Sequence, residues 1–185
     1  MKIALMKKYS LILIFMIVAI QGYAQTLTLP FSVQDSLKKI TGTEDQRIKA
    51  MVYSNTGSYY GRMRGDSALL YLSKAEKIAK ENNFIDLLPR IYFYKGSVNL
   101  FLTGNYPMGL YHGFEQLKYS TLMQDRPKAP GEDVYSRNIY PAYLNIANSY
   151  AFLGNTEKAN EYINKIPQDI YILKFDFIKF NFTLN

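Results

Sequence analysis

Apolar residues recur along this chain at helical spacing. Between residues 67 and 82, Ala68, Leu69, Leu72, Ala75, Ile78 and Ala79 fall on one face of a 3.6-residue period. The same reading predicts helices over residues 43–60, 85–103, 106–123, 139–153 and 156–166, with a short leading helix over 31–40. Thr43 and Gln46 have the spacing of a capping box, which would open the first long helix by satisfying its free amides. Residues 124–137 are rich in Pro, Gly and charge and predict an inserted loop.

The breaks between these helices repeat. Gly65-Asp66, Gly104-Asn105 and Gly154-Asn155 each join two residues with complementary tasks. The glycine tolerates the left-handed conformation that closes a helix, and the Asn or Asp caps the amides of the next. Such a stop and start builds a tight helical hairpin. Ahead of each break a small residue is followed three positions later by a bulky one: Gly57 and Tyr60, Ser97 and Leu100, Ala147 and Tyr150. An aromatic, Tyr53, Phe93 or Tyr143, stands four positions before each small residue, and a second small residue, Ala68, Gly109 or Ala159, follows each break. Backbones approach closely only where side chains are nearly absent. These positions therefore predict the helix contacts, with the bulky partners filling the space between hairpins.

On these residues the chain resembles the tetratricopeptide repeat family. The stretch from Tyr53 through Gly57 to Tyr60 matches the family's first-helix pattern of aromatic, spacer, small residue, spacer, aromatic, and residues 66–75 look like its second helix. Tyr143, Ile146, Ala147, Tyr150, Gly154, Ala159, Ile163 and Ile166 make the cleanest copy. The resemblance covers residues 43–167. It implies an all-α fold, a right-handed superhelix of stacked antiparallel helix pairs (a tetratricopeptide-like α-solenoid) of about three hairpins. The chain also departs from the pattern. The family repeats every 34 residues or so, whereas here the glycine marks lie 39 and then 50 residues apart. The first copy is one residue short between Gly57 and Ala68. In the second copy Gly113 and Gln116 stand where the family prefers larger or apolar residues, and Pro167 cuts the third short.

The start of the chain is of another kind. Lys7-Lys8 precede an uninterrupted apolar run over residues 11–20, and Gly22-Tyr23-Ala24-Gln25 follow. A basic segment, a brief apolar core and small residues at a cut site describe a secretory signal peptide over residues 1–24, cleaved after Ala24. The run is shorter than the roughly 20 residues a span requires. The expectation is an exported chain, periplasmic or secreted, with no membrane span after processing; retention as an N-terminal anchor is the alternative. The chain has no cysteine, so a cysteine-linked lipid anchor, disulfides and thiolate metal sites are excluded, and packing alone must stabilise the fold. Residues 25–185 suffice for one domain with a real core: a leader with a short helix over 25–42, the repeats over 43–168, and an apolar segment over 169–185. The formal charge of +7 misleads, because Lys2, Lys7 and Lys8 leave with the signal. Nineteen basic residues then face fifteen acidic ones, scattered among them, which is not the clustered basic face that nucleic acid requires.

The last segment has two readings. Ile170, Leu173, Phe177, Phe180 and Leu184 recur as the first helix of an incomplete fourth repeat would require, while Leu173, Phe175 and Phe177, then Ile178, Phe180 and Phe182, alternate as strands do.

Chemistry is sparse. His112 is the only histidine, and a Ser-His-Asp or His-metal site would have to pass through it. Its one nearby acid in sequence is Glu115, so it reads as a surface or interface residue. Glu44-Asp45 and Glu132-Asp133 are adjacent pairs that do not face one another. No glycine loop that cradles phosphate and no paired-histidine motif occurs, so no cofactor and no metal are expected. Arg64-Gly65-Asp66 spells an adhesion tripeptide, and Asn181-Phe182-Thr183 a glycosylation acceptor; both are short enough for chance.

The resemblance implies instead a non-enzymatic scaffold that binds a protein or peptide segment in a helical groove. Groove-facing residues of the first helices would be Ser54 and Ser58, then Tyr94, Val98 and Phe101, then Leu144 and Asn148. Alternatives are a truncated exported sensory region of a bacterial signalling regulator of the histidine kinase or helix-turn-helix type, and a structural subunit of an envelope complex. An enzyme would require His112 in a deep pocket beside a carboxylate.

Overall fold

The computed structural model describes residues 31–40, 42–127 and 139–167. Among them every regular element is helical: α1 (Phe31–Ile40), α2 (Gln46–Tyr60), α3 (Gly65–Glu81), α4 (Leu88–Phe101), α5 (Tyr106–Gln124), α6 (Tyr140–Phe152) and α7 (Thr156–Ile163), with one 3₁₀ turn at Ile85–Leu87. The chain divides into two compact units, 1–38 and 39–185, and α2 to α7 all belong to the second. Residues 1–24, read as a signal peptide, most of the stretch 124–137 read as a loop, Glu132-Asp133, Asn181 and residues 169–185 lie outside the described residues.

Asparagine and aspartate side chains set the starts of α2, α5 and α7. Asn105 accepts from the Met108 amide at 3.2 Å to open α5, and Asn155 accepts from the Lys158 amide at 3.0 Å to open α7. The preceding glycines, Gly104 and Gly154, have φ of +64° and +79°, the left-handed conformation expected of them. The first break is built otherwise. Gly65 is not left-handed; it is the first residue of α3, entered from an extended Arg64. Its role is space, since a Cβ there would lie 2.9 Å from Thr103 Cγ2. The start of α2 also differs from the capping box read at Thr43. Asp45 is the cap, accepting from the Arg47 and Ile48 amides at 2.8 and 3.1 Å, while Thr43 Oγ1 accepts only from the Asp45 amide at 3.3 Å. A carboxylate nearer the helix outcompetes the hydroxyl. Pro89, Pro107 and Pro141 stand in the first turns of α4, α5 and α6, where a missing N–H costs nothing.

Consecutive helices pack along one another: α2 on α3, α4 on α5 and α6 on α7, with α3 on α4 and α5 on α6 joining the pairs. Short links make each pair antiparallel. α2 also reaches α4, and α4 reaches α6. The contacts form at small residues. Gly57, Ala68, Gly109, Ala147 and Ala159 are all buried. A Cβ on Gly57 would meet Leu72 Cγ at 2.5 Å; on Gly109, Leu100 Cγ at 2.9 Å; on Gly113, Ile146 Cγ1 at 2.8 Å. Gly113 is thus small because α6 lies against it.

The first and third hairpins share one side-chain arrangement. Tyr71 of α3 sits between Tyr53 and Tyr60 of α2, its ring 6.1 and 5.6 Å from theirs. Tyr162 of α7 sits likewise between Tyr143 and Tyr150 of α6, at 6.1 and 6.0 Å. Lys74 lies 5.5 and 5.4 Å from the centres of Tyr53 and Tyr71, and Lys165 lies 5.9 and 4.1 Å from those of Tyr143 and Tyr162. Each ammonium closes a small cation–π cluster over half-buried rings. The middle hairpin breaks this pattern, with His112 and Glu115 at the positions of the tyrosine and the lysine. Its first helix is also displaced. Ser97, expected at the close contact, is half-buried and bonds back to the Phe93 carbonyl at 3.0 Å. The tight residue is Gly96, whose Cβ would meet Asn145 Nδ2 at 3.1 Å. The cause is position. α4 touches α2, α3, α5 and α6 and is buried on most of its faces, so its sequence carries no single apolar stripe.

Gly113→Ala should destabilise the fold by about 1–3 kcal/mol through overpacking against Ile146, outweighing the gain in helix propensity. Gly42→Ala, with nothing within 4 Å of the added methyl, should leave stability within about 1 kcal/mol. Urea unfolding of the two variants checks both.

Candidate functional site

The densest group of ionisable side chains sits where α3, α4 and α5 meet. Tyr92 OH donates to Glu76 Oε1 at 2.6 Å, and Lys95 Nζ donates to Glu76 Oε2 at 2.5 Å. Lys80, one helical turn along α3, also reaches Glu76 Oε1 at 2.8 Å. Lys95 and Tyr92 are buried, and the Tyr92 ring stacks on Tyr119 with centroids 5.7 Å apart. His112 packs its ring 5.7 Å from Tyr92 and is 3 % exposed.

These neighbours fix each protonation state. Burial would raise the Glu76 carboxyl, but hydrogen bonds from Lys80, Lys95 and Tyr92 outweigh it and hold the group down at about 2. Burial, and then the hydrogen bond to Glu76, raise the Tyr92 phenol well above its ordinary value. Burial lowers His112 to about 4, reinforced by Lys95 and partly opposed by Glu76. At neutral pH the seam therefore holds an ion pair and a neutral imidazole. Breaking such a buried pair by removing one partner typically costs 3–5 kcal/mol.

His112 is thus buried and not on the surface, because α5 turns that face toward α4. The acid it feels is Glu76 from α3, distant in sequence, and Tyr92 lies between them. Two further polar residues share its row on α5, Gln116 and Ser120, and both are fully buried. Gln116 Oε1 accepts from Asn145 Nδ2 at 3.3 Å, and the same amide reaches the Phe93 carbonyl at 3.3 Å, so Asn145 ties α6 to α5 and α4 together. A signal for this seam exists in the sequence: Lys95 stands among Ile91, Tyr92, Gly96 and Val98, and a charge among apolar neighbours demands a partner.

The seven residues assigned to a groove divide. Ser54, Val98 and Asn148 are buried within the helix stack. Val98 packs with Ala68 and Leu72, with Tyr94 against the same cluster. Ser58, Tyr94 and Leu144 are half-buried, and Phe101 is exposed. Arg90 bridges the first helices, donating to Asn55 Oδ1 at 3.0 Å with its guanidinium 5.8 Å from the Tyr94 ring. Arg47 pairs with Asp86 across the same boundary. Arg64-Gly65-Asp66 is absorbed by the start of α3, with Asp66 in its first turn. Among the described residues no three His, Cys, Asp or Glu side chains gather as a metal would require, and no described helix is long and apolar enough to cross a membrane. No protein-family model matches the chain, and no curated protein or solved structure is significantly similar to it.

The seam makes stability fall with acid in two steps. The unfolded chain binds His112's proton at about pH 6.5, the folded one only near 4, so stability is lost as pH falls through that window. Glu76, lowered from 4.5 to about 2, removes more below pH 4.5. Each step should amount to roughly 2–3 kcal/mol. His112→Leu should flatten the upper step and Glu76→Gln the lower one, read from urea midpoints between pH 7 and 3.

Proposed function

We propose that this chain is a non-enzymatic scaffold of the tetratricopeptide type, exported, whose first-helix surface binds a protein or peptide segment. The observation that carries the reading is the alignment of α2, α4 and α6. These helices touch in order, bridged by Arg90 to Asn55 and by Asn145 to the Phe93 carbonyl, while α3 and α5 each pack both on their own partner and on the first helix of the next pair, and α7 packs on α6. Stacked pairs of this kind form a superhelix with an extended first-helix face. The matching Tyr–Lys clusters of the first and third hairpins support descent from one repeated unit, and the His112 hairpin is a diverged copy. The basic-apolar leader over residues 1–24 supports export.

The face offers Ser58, Tyr94, Leu144 and Phe101, with the Arg90–Asn55 pair next to Tyr94. Half-exposed rings and aliphatic groups interrupted by a few hydrogen-bonding side chains suit an extended or helical segment with apolar anchors. A catalytic role for the seam is disfavoured by its internal pairing. Glu76 is held by Lys80, Lys95 and Tyr92, and His112 is buried with its ring against Tyr92.

A photoreactive phenylalanine analogue placed at Tyr94 or Phe101 should capture one protein from the native cell envelope, whereas the same analogue at Lys77 of α3 or Asn160 of α7 should not. Equal capture from all four positions, or capture from the second helices alone, would contradict the proposal.

A further inference from the structure

Turns between helices are ordinarily polar, because they face water. In this fold the turn ends of all three hairpins carry large apolar side chains. Met63 lies in the first turn, Leu102 in the second with Phe101 before it and Met108 after it, and Leu153 in the third. They are between 39 % and 55 % exposed, and they account for five of the eleven large apolar residues exposed in the described chain. The three turns lie side by side. A Cβ on Gly65 would meet Thr103 Cγ2 at 2.9 Å and Leu102 Cβ at 3.5 Å, which seats the first turn against the second. Phe152 joins the second to the third, with Tyr106 stacked on it at 4.6 Å and Phe101 edge-on at 6.2 Å. One edge of the helix stack thus carries an apolar strip. Arg62 and Arg64 flank Met63, both exposed, and neither forms an ion pair with a described residue. The acids nearby, Asp66 and Glu157, stand in the first turns of α3 and α7, where they complement the helix amides.

We propose that this turn edge docks on an anionic phospholipid surface. Contiguous exposed apolar groups with a charged rim mark protein or membrane contacts, and two features select lipid. The side chains are spread over three successive turns, so each turn can enter the headgroup–acyl boundary without needing a matching pocket in a partner. The guanidiniums of Arg62 and Arg64 beside Met63, which form no ion pair with a described residue, are complementary to phosphate headgroups. The attachment is peripheral, with no helix inserted, and shares only Phe101 with the first-helix face. It does not depend on that face binding a segment.

The test uses the protein isolated from an exporting host, sedimented with vesicles of phosphatidylcholine containing phosphatidylglycerol, and with phosphatidylcholine alone. Wild type should bind the anionic vesicles and bind the neutral ones far more weakly. Arg62→Gln with Arg64→Gln should weaken anionic binding about 30-fold, from the attraction each basic residue contributes near a charged surface. Met63→Ser with Leu102→Ser and Leu153→Ser should abolish it. All five positions are exposed, so helix content by circular dichroism should be unchanged. Three results would overturn the proposal: no vesicle binding by wild type, equal binding by all three proteins, or a strip whose triple variant converts a dimer to a monomer without altering vesicle binding, which would make it a self-association surface.

Discussion

A methyl group added at Gly57 would sit 2.5 Å from Leu72 Cγ, well inside van der Waals contact. The same crowding recurs at Gly109 against Leu100 and at Gly113 against Ile146. Helices in this fold come together where a side chain is missing, and bulky residues on the partner occupy the space. Interiors are packed like organic crystals, so a contact of this kind fixes the axial position of one helix on the next as well as their separation. The left-handed glycines at 104 and 154 and the asparagine caps after them then set where the second and third hairpins reverse. Register, turn position and helix spacing thus follow from a few residues chosen for being small.

That constraint explains the middle hairpin. α4 has neighbours on four sides, and packing so many helices around it leaves little room for large side chains on α5, where Gly109 and Gly113 meet α4 and α6. The polar row of His112, Gln116 and Ser120 occupies the rest of that face. The ion pair of Glu76 with Lys95 is a specific tie between the first and second hairpins at this crowded centre. Buried ion pairs add little to stability compared with apolar packing, but they penalise any arrangement that separates the partners. We read Glu76, Lys95 and Tyr92 as setting the register of α4 against α3. The half-buried tyrosine clusters at the outer hairpins do the corresponding job with weaker, more tolerant contacts.

Much of this was legible in the sequence, for identifiable reasons. The helix over 67–82 has one buried face, so its period of Ala68, Leu72, Ala75 and Ala79 located it to within two residues of α3. Gly104-Asn105 and Gly154-Asn155 announced their turns because their conformation and their cap are both local. Gly65-Asp66 looked the same and was not, since Gly65 is small for the sake of Thr103 in another hairpin, which no local pattern encodes. Ser97 failed for the same reason: the register of α4 is set by four neighbours, and Gly96 is the residue that meets Asn145. The placement of His112 was opaque because Glu76 and Lys95, its charged surroundings, come from other helices. Of the residues assigned to a groove, Phe101 is exposed while Val98, one turn earlier, is core, a distinction that depends on which side α3 covers.

The central claim, that missing side chains position the helices, is tested most directly by a double-mutant cycle on Gly57 and Leu72. Gly57→Ala, Leu72→Ala and the pair would each be measured by urea unfolding at neutral pH. If the methyl introduced by Gly57→Ala collides with Leu72, trimming Leu72 relieves it, and the double variant should be more stable than the sum of the singles predicts by at least about 1 kcal/mol. Strict additivity of the two losses would mean that the two residues do not meet, and the account of how these helices are spaced would fail.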